Sequence, residues 1–79
     1  MATPLPYKLP SGRVLYEYPD REMCIANIPE WTEMMAQERA AMDAETDPDR
    51  IAKYEKLMDV MQETLLDFEA MVNMEYPED

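Results

Sequence analysis

The stretch DAETDPD sets four acids, Asp43, Glu45, Asp47 and Asp49, at alternate positions, the spacing at which a calcium-binding loop offers its first oxygen ligands. The rest of such a loop is missing. Counted from Asp43, the sixth position is Pro48 and the twelfth is Tyr54, where the loop needs a glycine for its sharp turn and a bidentate glutamate. The acids therefore read as a solvated turn rich in capping side chains. Nucleophilic chemistry is no better served. Histidine is absent and Cys24 is the single thiol, so no imidazole can draw a proton from it and no intrachain disulfide can form. Cys24 reads as a small buried apolar residue. Carboxylates acting as general acid and base need a concave, partly dry pocket, which a chain of 79 residues can hardly enclose. The expectation is a protein with no catalytic residues, no metal and no cofactor, and not an enzyme.

The elements that must position these side chains follow from size and charge. One small domain is expected, folded and water-soluble, because 47% of its residues are hydrophobic and 32% charged, too apolar a mixture for a disordered tail. So short a chain buries a modest fraction of its surface and keeps a thin stability margin. The formal charge is −11, and it is concentrated. Up to residue 29, Lys8, Arg13 and Arg21 balance Glu17, Asp20 and Glu22; beyond it, fifteen acids face the four cations Arg39, Arg50, Lys53 and Lys56. Such a surface repels nucleic acid and anionic lipid and attracts basic partners. No leader pattern and no apolar run of membrane-spanning length is present. The lone cysteine fits a reducing compartment, so the cytoplasm is expected.

The fold class predicted is α+β: an N-terminal β-hairpin or small meander over residues 5–27, then two α-helices over 29–45 and 48–74. Pro10-Ser11-Gly12 supplies a fixed φ followed by a residue that tolerates positive φ, the needs of a tight reversal. In the strand that follows, Val14, Tyr16 and Tyr18 share one face. Pro4 and Pro6 confine pairing of the first strand to a sheet edge. Residues 22–27 read weakly as a third strand, although Pro19 could equally open helical turns. Pro29 reads as the first position of a helix, with Glu30 and Glu33 complementing its dipole and Trp31, Met34, Met35, Ala41 and Met42 on its apolar face. Thr46-Asp47-Pro48-Asp49 is a strong restart signal, predicting an αα-hairpin. Along the second helix Ile51, Tyr54, Met58, Met61, Leu65, Phe68 and Val72 alternate three and four apart, a heptad seam like that of a coiled coil, widened by Leu57 and Met71.

That seam is more apolar surface than so small a body is expected to cover. Part of it should face inward and part a partner. The nine methionines are flexible enough to fill irregular contours, in a core or at a binding groove. The candidate partner-binding anchors are Trp31, Met34, Met35, Met42, Leu57, Met71 and Met74. Two copies of the chain could instead pair as a homodimer through the Ile51–Val72 seam. A second candidate surface is an acidic face of Glu30, Glu33, Glu38, Asp43, Glu45, Asp47, Asp49, Asp59, Glu63, Asp67 and Glu69. Its carboxylates could occupy a partner's basic groove in place of phosphates, or could be no more than the solvated exterior of soluble helices.

The segment KLPSGRVLYEYPDRE, followed by helix, resembles the opening of small phage tail or baseplate assembly chaperones, in which an LPSG-like turn joins two short strands ahead of helices. The resemblance covers residues 8 to 22. It implies transient binding to an aggregation-prone structural protein of the virion, in the host cytoplasm and without chemistry. The functional expectation is thus a protein–protein interaction module that binds an apolar segment or a basic surface, with no direct nucleic-acid binding and no membrane association. The alternative is an acidic nucleic-acid mimic of the anti-restriction or anti-CRISPR type.

Overall fold

The computed structural model describes residues 1–78 and has two short strands and two helices, β1 (Tyr7–Lys8), β2 (Val14–Leu15), α1 (Arg21–Ala44) and α2 (Pro48–Asn73). The α+β class and the order of hairpin before helices are as expected. The strands are antiparallel, with Tyr7 opposite Leu15 and Lys8 opposite Val14. At the turn the Gly12 N–H donates to the Leu9 carbonyl at 2.9 Å, and Gly12 carries φ +96°, a region that a Cβ disfavours. Only Leu15 of the second strand turns inward onto the core; Val14 and Tyr16 stay exposed.

The first helix starts eight residues before the expected position. Residues 22–27 are helical rather than a third strand, because Asp20 caps the helix: its side chain accepts from the N–H groups of Glu22 and Met23. Two orphan donors of the first turn are thereby satisfied. Pro29 lies inside α1. A proline is at home in a first turn, which is why it reads as a start. Inside a helix it costs a hydrogen bond to the residue four back, here Ile25. Ile25 and Pro29 are both exposed, so water can solvate the freed carbonyl.

The joint between the helices has the predicted chemistry. Asp47 accepts from the Asp49 N–H at 3.0 Å, and Pro48 occupies the first turn of α2. Glu45 closes the corner from the other side, its Oε1 accepting from the N–H groups of Thr46 and Asp47, each at 3.1 Å.

With the helical pair folded back on itself, the molecule is a slab of 53 × 22 × 13 Å, one helix thick. The seam on α2 faces α1: Met58 and Met61 are buried, and Ile51, Tyr54, Leu65, Phe68 and Val72 are half-buried. The apolar line that might have paired with a second copy is used within the chain. The hairpin closes one end of the slab, where Leu9, Cys24 and Met71 form a buried cluster flanked by Tyr7, Leu15, Phe68 and Val72.

Candidate functional site: an open apolar face beside the hairpin

The residues expected to act together are split among three places. Met71 and Met74 are buried at 8% and 7% exposure, so they serve the fold, and Met74 also borders a surface depression beside Met1 and Arg21. Met35 and Met42, half-buried, line a shallow groove between the helices together with Arg39, Glu55, Met58 and Asp59. Trp31, Met34 and Leu57 belong to the opposite broad face. Trp31 meets Phe68 there, with ring centroids 6.2 Å apart.

The helical period explains the division. On α1 the line Trp31, Met34, Glu38, Ala41 and Glu45 runs along one edge of the contact with α2, while Met35, Arg39 and Met42 run along the other. On α2 the line Lys53, Leu57, Val60, Thr64, Asp67, Met71 and Met74 alternates four and three apart. This is a second heptad stripe beside the seam, and its two halves meet different fates. Asp67, Met71 and Met74 are buried, whereas Leu57 and Val60 are 45% and 53% exposed. Across from them Met34 is 46% exposed. Reading one seam conceals this stripe, because the charged Lys53 and Asp67 interrupt it; taking each apolar residue with its neighbours three and four away would have found it.

Asp67 is the largest departure from the expected acidic face. It is buried at 6% exposure. Its Oδ1 accepts from the Ser11 N–H at 3.1 Å and its Oδ2 from the Ser11 hydroxyl, so this carboxylate holds the hairpin turn against α2. The remaining acids divide by position. Glu30, Glu33, Asp43, Asp47, Asp49, Asp59, Glu63 and Glu69 are exposed, and Glu38 and Glu45 are half-buried. Glu45 also pairs with Arg50 at 3.7 Å. The Asp47 N–H first, then the Thr46 N–H and the Arg50 charge, hold its carboxyl below the usual range.

The chain ends are tied at the hairpin end. The Thr3 N–H donates to the Glu75 carbonyl and the Glu75 N–H to the Thr3 hydroxyl, both at 2.8 Å. Tyr18 donates to the Thr3 carbonyl at 2.6 Å, Tyr76 donates to the Met71 carbonyl, and the two rings stand 5.9 Å apart. A surface depression of about 880 Å³ lies at this clasp and is lined by Met1, Arg21, Val72, Met74, Glu75 and Tyr76. Cys24 is buried beneath the hairpin, and burial first, then the nearby Asp20 charge, push its thiol pKa up, opposite to what a nucleophile requires. Among the described residues no three His, Cys, Asp or Glu side chains converge as a metal site, and no helix is long and apolar enough to cross a membrane. No protein-family model matches the chain, and neither the curated proteins nor the solved structures show a significant match to it.

Proposed function

We propose that this protein is a non-enzymatic interaction module that binds another protein through the apolar face formed by Trp31 and Met34 of α1 and Leu57 and Val60 of α2. The observation that carries this reading is the half-covered stripe on α2. The hairpin covers Asp67 and Met71 of its C-terminal half, while Leu57 and Val60 of the N-terminal half stay about half exposed. A tryptophan and a methionine beside such a strip are residue types enriched at interface centres. An assembly chaperone or adaptor, as the hairpin resemblance implies, would use the face to cover an apolar segment of its client. The test is affinity capture from the native host with wild-type chain and with Met34→Asp and Leu57→Asp. Bands that persist at high salt with wild type and vanish with both variants support the reading. Capture unchanged by either substitution rejects it.

The second reading, an acidic mimic of nucleic acid, is favoured by one observation: Asp43, Asp59, Glu63 and Glu69 are all exposed, with only four cations beyond residue 29 to offset fifteen acids. It predicts a partner released as salt rises and displaced by DNA or RNA.

A further inference from the structure

We infer, building on the interaction-module reading, that the occupant of the open face is an amphipathic helix of another protein carrying lysine or arginine along the flank that meets α1. The open stretch runs over residues 31–45 of α1 and 50–64 of α2, at 1.5 Å per residue room for about four turns of a third helix. Its floor is the apolar group Trp31, Met34, Leu57 and Val60. Its charged borders differ. On α1, Glu30 lies exposed at the rim, and Glu38 lies half-buried on the same line as Trp31 and Met34. Among the described residues neither makes an ion pair. On α2, Arg50 and Lys53 close the end nearest the joint, lining a hollow with Tyr54 and Leu57, and Arg50 is already engaged by Glu45. Among the described residues no cation pairs with Glu30 or Glu38 of the α1 border, and on the α2 border Lys53 is likewise unpaired; the flank of an occupant that meets α1 is therefore the one that calls for positive charge.

Charge also decides against a second copy. Each chain carries −11, so two copies repel at long range. Stacking the two open faces with the hairpins at opposite ends, which keeps the hairpins apart, would set the Glu38 edge of one α1 against that of the other. A cationic helix meets neither obstacle and is drawn in by the same field.

The test compares two synthetic helical peptides, each about four turns long with a leucine stripe, one flanked by lysines and the other by glutamates at the same positions. Binding is followed by Trp31 fluorescence and calorimetry, and the protein's own association state by sedimentation. The expected result is a monomer that binds the lysine peptide at least about tenfold tighter than the glutamate peptide. Leu57→Asp should abolish that binding, and Glu30→Lys with Glu38→Lys should remove most of the preference. Equal or tighter binding of the glutamate peptide overturns the cationic partner and leaves the face as an interface. A dimer that Leu57→Asp dissolves also overturns this inference, because the occupant is then a second copy. A monomer that binds neither peptide overturns both this inference and the interaction reading of the face.

Discussion

The two ends of the helical slab are built on different principles. At the hairpin end, Leu9, Cys24 and Met71 are buried together, Ser11 is bonded to Asp67, and Thr3 and Glu75 lock the chain ends. At the joint end, two helices lie side by side and leave Met34, Leu57 and Val60 about half exposed. Both ends use the same α2 stripe. The contrast shows that one heptad line can finish a fold over half its length and leave the other half open for contacts, provided that a second element covers only one half.

The largest effect should come from emptying the covered half. Met71→Ala removes a buried side chain and leaves a cavity, and should lower stability by about 3 kcal/mol in urea unfolding. A loss under about 0.5 kcal/mol, typical of surface changes, would erase the distinction between the ends. Asp67→Ala comes next, at about 2 kcal/mol for two hydrogen bonds to a carboxylate. The Ser11 amide should then exchange its hydrogen faster while amides in the middle of α2 stay protected. Equal loss of protection everywhere would mean that the hairpin is not a separable cap.

Smaller effects belong to the joint end. Glu45 has a depressed folded-state pKa, so its contribution is present at neutral pH and disappears as the pH falls through that depressed value. Glu45→Gln should therefore lower the melting temperature slightly at neutral pH and converge with wild type in acid, below the usual carboxylate range. A gap that widens in acid would reverse the sign of the argument. Smallest of all, Met34→Ala and Leu57→Ala should each change stability by no more than about 0.5 kcal/mol while weakening partner capture. A large loss in either variant would show that these residues support the fold.

Much of this architecture was legible in local chemistry. The Pro10-Ser11-Gly12 reversal, the Asp47-Pro48 restart and the α2 seam each depend on residues within a few positions of one another, and each is found where expected. The start of α1 was misread because Pro29 carries a strong local signal for a first turn, whereas Asp20 shows itself as a cap only through its bonds to Glu22 and Met23. The anchor list was partly legible: spacing identifies which residues share a helix face, yet does not say which stretch of that face a hairpin far away in the chain will cover.

Composition and periodicity alone determined two helices, a reversal before them, a strongly acidic C-terminal part and the lack of imidazole or paired thiols. These are properties of residue type and near-neighbour spacing, and no distant contact can alter them. Tertiary structure alone decided that Asp67 is a buried acceptor for Ser11, that Met71 and Met74 are core, and that Leu57 and Val60 remain uncovered. Burial is settled by groups that meet across the fold, as Ser11 meets a carboxylate 56 positions away, and no window along the chain spans that separation.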